Sequence, residues 1–195
     1  AFAHMPLLVN EGRKKLSKRR DDVSMADYRA RGYLPEAMLN YLALLGWVIA
    51  PDNDIFSMAE MYAAFDIADV NPNPARFDLK KAEAINAAHM RRLSLADLTA
   101  RVVPFLKRDG VLSDPVTDAE RARLDAAMPL IGERINKLTE ASGMLGFLFV
   151  SAEGLVRHEV IDEAGAVVVR AARDGLAAVE EWGTGAIEAA LRAAL

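Results

Sequence analysis

Arg13-Lys14-Lys15-Leu16-Ser17-Lys18-Arg19-Arg20 is the stretch from which the rest of the chain is read. Six of its eight residues are cationic, and Leu16 is its only apolar one, so it is no amphipathic element. In most proteins such a run is a solvated face. Here it belongs to a wider pattern. The net charge is −4, but the charge is not spread evenly. Residues 11–31 hold eight Lys/Arg and four Asp/Glu, and residues 32–75 hold no Lys/Arg and six Asp/Glu. Residues 76–108 hold eight and three, and residues 109–195 hold eight and fifteen. A polyanionic partner responds to the local field and not to the whole-chain sum, so two basic blocks keep such a partner open.

Composition narrows the class. A chain of 195 residues with 52% hydrophobic content makes one domain or two small ones, folded and not disordered. It is long enough to bury roughly two-thirds of its unfolded surface. The lack of cysteine excludes a disulfide scaffold, a thiolate zinc site and a cysteine nucleophile. No run approaches the roughly 18 apolar residues of a membrane span, which makes a non-membrane protein the expectation. The N-terminus has no signal-peptide pattern, so a cytoplasmic protein is expected. No two histidines have metal-ligand spacing, and neither G-x-x-x-x-G-K-[ST] nor G-x-G-x-x-G occurs.

Outward from the basic run the pattern is helical. The residues before it look like the end of a strand. After it, Ser24 with Asp27 opens a helix and Gly32 stops it. Pro35 suits the first position of the next helix, with Met38, Leu39, Leu42 and Leu45 as its apolar stripe. Ser57 with Glu60 opens another, with Met58, Met61, Tyr62 and Phe65 as core. Asn71-Pro72-Asn73-Pro74 is the strongest break, because two X-Pro bonds force extended backbone. Residues 76–92 then read as helix, with Leu79, Ile85 and Met90 inward. Ser94 with Asp97 opens the next, which Pro104 is expected to kink or divide. Thr117 with Glu120 opens another, and Pro129 is expected to start a further helix reaching Ser142-Gly143. Residues 144–169 could be strand or helix, and the helical context favours helix despite Val167-Val168-Val169. A helix is expected over Leu176–Trp182, and a last one capped by Thr184. Ala1-Phe2-Ala3-His4 reads as the interior of something larger, and no stop signal precedes Leu195.

Lys15-Leu16-Ser17-Lys18-Arg19 matches the K-[ML]-S-K-[SR] loop of class I aminoacyl-tRNA synthetases. Phe2-Ala3-His4-x-Pro6-Leu7 before it and Tyr28-Arg29-x-x-Gly32-Tyr33-Leu34-Pro35-Glu36-Ala37 after it resemble the bacterial glutamyl-tRNA synthetase family. The resemblance runs on through Asn40–Trp47 and Asn71-Pro72-x-Pro74-Ala75-Arg76-Phe77-Asp78-Leu79-Lys80-Lys81, strong over residues 1–92 and weaker beyond. It implies an all-α fold after a short remnant of the class I catalytic domain. Residues 1–22 would end that domain, 23–93 would be stem-contact helices, and 94–195 an incomplete helical anticodon-binding cage.

The resemblance also implies roles. Lys18 would be the catalytic lysine that stabilises charge on the ATP phosphates, with Lys15, Ser17 and Arg19 completing the ATP loop, and Mg²⁺ would accompany the nucleotide. The loop has to close over ATP, so residues 14–20 are expected to be exposed and poorly ordered. Arg76, Lys80, Lys81, Arg91 and Arg92 would contact tRNA phosphates, and Arg134 would lie where the anticodon is read. The partners implied are tRNA(Glu), with tRNA(Gln) in non-discriminating members, and L-glutamate, for a monomeric protein. The family's H-x-G-H signature is absent, so these 195 residues alone are expected to be inactive. Family members usually carry Lys-Leu-x-Trp after the paired lysines; here the segment is Ala82-Glu83-Ala84-Ile85. His4, His89 and His158 have no partner in sequence, and His89 stands where the family usually has tyrosine. A free-standing tRNA-binding module and a helical interaction protein with a solvated basic loop are the competing readings.

Overall fold

The computed structural model describes residues 5–17, 24–150 and 161–194. Its first strand, β1 (Leu8–Val9), pairs in parallel with β2 (Ala75–Arg76), Leu8 opposite Ala75 and Val9 opposite Arg76. Between them lie α1 (Met25–Ala30), α2 (Pro35–Leu44) and α3 (Met58–Ala64), and then a 3₁₀ turn at Ile67–Asp69. After β2 come α4 (Leu79–Arg92), α5 (Leu95–Arg108), α6 (Asp118–Ile131) and α7 (Glu140–Leu145). The chain divides into two units, residues 1–150 and 151–195, and the second contains α8 (Glu163–Ala177) packed on α9 (Thr184–Arg192). The regular structure of the described residues is thus helical apart from two two-residue strands.

The first unit is built around α2 against α4, continued by α5, α6 and α7. One apolar cluster runs through it, from Tyr28, Tyr33, Leu34 and Tyr41 to Leu124, Ile135 and Leu145. On α2 the inward face is Leu34, Ala37, Met38 and Tyr41, an i, i+3, i+4, i+7 set. Asn40 and Asn86 are both fully buried within this unit, and each has all its polar atoms satisfied. Asn40 Nδ2 donates to Asp54 O at 3.0 Å, and its Oδ1 accepts from Phe56 N at 3.2 Å and from His89 Nε2 at 2.8 Å. This fixes the His89 proton on Nε2.

α1 ends in a Schellman motif. Gly32 N donates to Arg29 O and Tyr33 N to Tyr28 O, at 3.0 and 3.1 Å. Tyr28 and Tyr33 pack edge-to-face with centroids 5.3 Å apart. Gly32 has φ +85°, and a Cβ there would lie 2.7 Å from Thr139 N and 2.8 Å from Leu138 N. Only glycine lets the backbone of residues 138–139 come this close.

The capping pairs read from sequence hold at Ser57/Glu60 and Thr117/Glu120, which form full capping boxes, and at Ser94, which accepts from Asp97 N. Ser24 precedes α1 but makes no side-chain cap. Residues 163–177 are helical as expected, Val167–Val169 included. Other expectations are corrected. Residues 76–78 are not helix: Arg76 is in β2, and Asp78 caps α4 by accepting from Lys81 N at 3.1 Å. Leu39, Leu79, Tyr62 and Phe65 are exposed, and α3 buries no residue fully. Pro104 and Pro129 interrupt nothing, since α5 and α6 run through them. Both prolines are exposed, so the carbonyl each leaves unpaired can be hydrated. α8 ends at Ala177, which leaves Trp182 in the connection before α9. Gly183, not Thr184, is the cap of α9.

Candidate nucleic-acid interface and basic hairpin

The basic run begins as one arm of a hairpin. Asn10 N donates to Lys14 O at 2.9 Å, Leu16 N to Leu8 O at 3.1 Å, and Lys15 bridges antiparallel to Val9. The turn is closed by Arg13 N on Asn10 O, while Asn10 Oδ1 accepts from Lys14 N at 3.1 Å. Arg13, at φ 56°, is the non-glycine residue at positive φ among the described residues. Glu11 to Lys15 are exposed, and Leu16 and Ser17 are half-buried. Residues 14–16 are therefore held to β1 and are not the unanchored loop that mobility suggested. Lys18, Arg19 and Arg20 lie outside the described residues.

β1 is anchored in turn. Ala75 N donates to Leu7 O and Phe77 N to Val9 O. Phe77 packs edge-to-face on Tyr41 with centroids 5.1 Å apart, and Tyr28 lies 6.0 Å away. Tyr41 Oη accepts from Asp78 N at 2.6 Å, and burial is the main cause that pushes this phenol up to about 12. The hairpin is thus tied through β1, β2 and Phe77 to α1 and α2. A cleft of about 680 Å³ opens beside it, lined by Leu7, Val9, Glu11, Arg13, Pro74 and Arg76.

The remaining candidates separate into two groups. Lys80 and Arg134 are exposed, and neither has an ion pair among the described residues. Arg76 pairs loosely with Asp78 at 3.4 Å, and Lys81 pairs with Asp54 at 2.9 Å. Both pairs are exposed and worth little. Arg91 and Arg92 are engaged differently: Arg92 Nη2 donates to Ile55 O at 3.2 Å, and Arg91 Nη2 to Glu133 O at 2.9 Å and Asn136 Oδ1 at 3.3 Å. On α4, residues 80 and 91, and likewise 81 and 92, are eleven apart, which places each pair on one helix face about 16 Å apart. The Ala82–Ile85 segment buries Ala82 and Ile85, and sends Glu83 to Lys137 at 2.5 Å and Tyr33 Oη at 3.4 Å. The Glu83 carboxylate is the main cause that raises the Lys137 ammonium.

Sequence reasoning missed Asn40, Asn86 and the close approach at Gly32. The available signal was an asparagine inside an apolar helix stripe, a residue that helix interiors disfavour unless its amide has buried partners. Among the described residues no group of three or more His, Asp or Glu could hold a metal ion. Nor is any of their helices long and apolar enough to cross a membrane.

Two family models match the chain. One, described as tRNA synthetases class I (E and Q), catalytic domain, covers residues 1–84; the other, Anticodon binding domain, covers residues 97–195. Glutamate–tRNA ligases of a Nocardioides species, Leifsonia xyli and Kineococcus radiotolerans are 61%, 47% and 49% identical over the whole of this chain. The chain spans about two-fifths of their length, 40%, 41% and 40%. A solved glutamate–tRNA ligase from Elizabethkingia meningosepticum, in complex with its amino acid, has a TM-score of 0.72 at 26% identity. That match covers 99% of this chain and 41% of that one, and the synthetase of Elizabethkingia anophelis has a TM-score of 0.71.

Proposed function

Since the chain belongs to the glutamate–tRNA ligase family, we propose that its parent protein attaches L-glutamate to tRNA(Glu) in two ATP-dependent steps. The glutamate carboxylate attacks the α-phosphate of ATP and pyrophosphate leaves; a hydroxyl of the tRNA 3′ end then displaces AMP from the glutamyl-adenylate. The observation that carries this is the order of features on one chain. A class I loop, Lys15 to Arg19, lies inside the catalytic-domain match, and an anticodon-binding match follows it on a chain 61% identical over its whole length to a relative that is a glutamate–tRNA ligase. The catalytic match alone spans glutamate and glutamine enzymes. The helical character of residues 97–150 and 161–194 supports glutamate, because the glutamine family uses β-barrels for anticodon binding.

Negative charge builds on the phosphate oxygens as pyrophosphate leaves. Lys18 would stabilise that charge more in the transition state than in the ground state, which is the condition for catalysis. Lys15, Ser17 and Arg19 would hold the nucleotide phosphates, with Mg²⁺ accompanying ATP. The hairpin supports this by keeping Lys15 exposed on a backbone fixed to β1. Arg76, Lys80 and Lys81 would meet tRNA phosphates and Arg134 the anticodon; Arg91 and Arg92 have internal partners and are taken up below. The division into residues 1–22, 23–93 and 94–195, a cytoplasmic location and a monomeric state belong to the same proposal.

Aminoacylation by the full-length parent tests it. Charging of tRNA(Glu), with tRNA(Gln) assayed beside it, is the expected result. Lys18→Ala should cost roughly 100- to 1,000-fold in kcat with tRNA binding retained. Wild-type charging by that variant would remove Lys18 from the mechanism, and no charging by the parent would remove the function.

A further inference from the structure

The segment that carries Arg134 is held in place from two directions. Toward the α1–α2 junction, Leu138 N donates to Gly32 O at 3.0 Å and Thr139 Oγ1 donates to Arg31 O at 2.9 Å. Toward α4, buried Asn86 donates from Nδ2 to Asn136 O at 2.6 Å while its Oδ1 accepts from Leu34 N at 2.8 Å. Arg91 closes the other end: its Nη2 lies 2.9 Å from Glu133 O and 3.3 Å from Asn136 Oδ1. Lys137 bonds Glu83 and Asn136 N donates to Glu140 Oε2 at 2.7 Å. Within 133–139, Arg134 is exposed and has no ion pair among the described residues, while residues 133, 136, 137, 138 and 139 are all tied to partners in the rest of the fold.

We propose that Arg91 is a positioning residue and not a phosphate contact: with Asn86 it fixes residues 133–139 so that Arg134 is presented, pre-ordered, to an unpaired RNA base. The proposal rests on the reading of Arg134 as RNA-facing. The chemistry favours it because one backbone carbonyl and one side-chain amide, and no carboxylate, accept from the Arg91 nitrogen. The guanidinium fork can serve two acceptors from one fixed plane, which an ammonium on a flexible stem does not do. A backbone segment held rigid before binding loses less conformational entropy on binding, which is how a scaffold residue affects affinity without touching the ligand.

A phosphate contact and a positioning residue behave differently. Losing one phosphate contact lowers the slope of log K against log salt by about 0.7–0.9 and weakens all RNA sequences alike. The test uses the 195-residue chain and a synthetic anticodon stem-loop RNA of tRNA(Glu) sequence, over a salt series. Arg91→Ala and Arg91→Lys should each weaken binding about tenfold with the salt slope unchanged. Adding Arg134→Ala to Arg91→Ala should cost nothing further. Amides of Asn136 and Leu138 should exchange faster with solvent in Arg91→Ala. A slope lowered by a full contact, rescue by lysine, or additive losses would overturn the proposal, as would unchanged binding or unchanged exchange. A wild-type chain that binds no stem-loop would overturn the RNA reading itself, before any variant is compared, and the proposal with it.

Discussion

Gly32→Ala tests whether the 133–139 segment is held by the close approach at the end of α1. Two glycines close helices by the same motif. At Gly110, Val111 N donates to Leu106 O and Gly110 N to Lys107 O, as Tyr33 and Gly32 do at the end of α1. Their φ values are similar, +72° and +85°. They differ in surroundings: a Cβ at Gly110 meets nothing within 4 Å, whereas at Gly32 it meets two backbone nitrogens at 2.7 and 2.8 Å. Alanine at either site carries the left-handed cost, about 1 kcal/mol. At Gly32 the backbone of residues 138–139 must also retreat by about 0.7 Å to restore van der Waals contact at 3.4 Å. That retreat breaks the Leu138–Gly32 and Thr139–Arg31 hydrogen bonds, each worth about 1 kcal/mol. Gly32→Ala should therefore cost about 3 kcal/mol, and Gly110→Ala about 1. With a urea slope of about 2 kcal/mol/M the midpoints would fall by about 1.5 M and 0.5 M. Buried Trp47 reports the first unit, and exposed Trp182 is removed as Trp182→Phe to keep the signal clean. Equal midpoints for the two variants would refute the reasoning, because the packing term would then be nil.

Lys80→Ala should lower the salt slope of stem-loop or tRNA binding by about 0.9, since its exposed ammonium has no ion pair among the described residues to give up; an unchanged slope rejects it as a phosphate contact. His89 is held below its ordinary 6.5, first by burial and then by the charge of Arg92. The unfolded chain therefore binds this proton first, so its contribution is complete above 6.5 and declines as pH falls below it. Denaturation midpoints between neutral pH and about pH 5 should fall further in wild type than in His89→Gln, whose amide can still donate to Asn40. The Glu120 carboxylate is pulled down to about 2, chiefly by the Thr117 N–H and then by Ser113 N–H. Its native contribution thus persists above the ordinary 4.5 and is lost as pH falls toward 2; a carboxyl NMR titration near 4.5 would contradict the capping box.

What was legible in sequence was local. Ser57/Glu60, Ser94/Asp97 and Thr117/Glu120 are three-residue interactions, and the structure makes all three. Gly32 was legible as a helix stop because the chain needs a positive φ there. The failures share a cause. Periodicity places Leu39 and Met38 on adjacent parts of a helix, and only the position of α4 decides that Met38 is buried and Leu39 exposed. The inward face at that level also contains Asn40, which an apolar template discards. The same limit holds for the site. Lys15-Leu16-Ser17-Lys18-Arg19 is contiguous and could be read directly. The Arg91–Glu133 and Asn86–Leu34 bonds join residues 42 and 52 positions apart, and no short-range pattern encodes them.

The charge blocks also change meaning once folded. Residues 32–75 carry no cation, and three of the eight cations of the second basic block are used on that segment: Arg101 pairs with Glu36, Lys81 with Asp54, and Arg92 bonds Ile55 O. A count of five phosphate contacts from residues 76–92 would give a salt slope near −4.5. Arg76 and Lys81 are in exposed pairs and can exchange a carboxylate for a phosphate at little cost. Arg91 and Arg92 would have to give up their hydrogen bonds to the Glu133 and Ile55 carbonyls, each worth about 1 kcal/mol, before meeting a phosphate. The block should then contribute about three contacts, a slope near −2.7, to which Arg134 adds only if it meets a phosphate as well as a base. On the proposed function, RNA binding by this chain should therefore be weaker and less salt-sensitive than its basic residues suggest, and more of it should depend on how rigidly residues 133–139 are held.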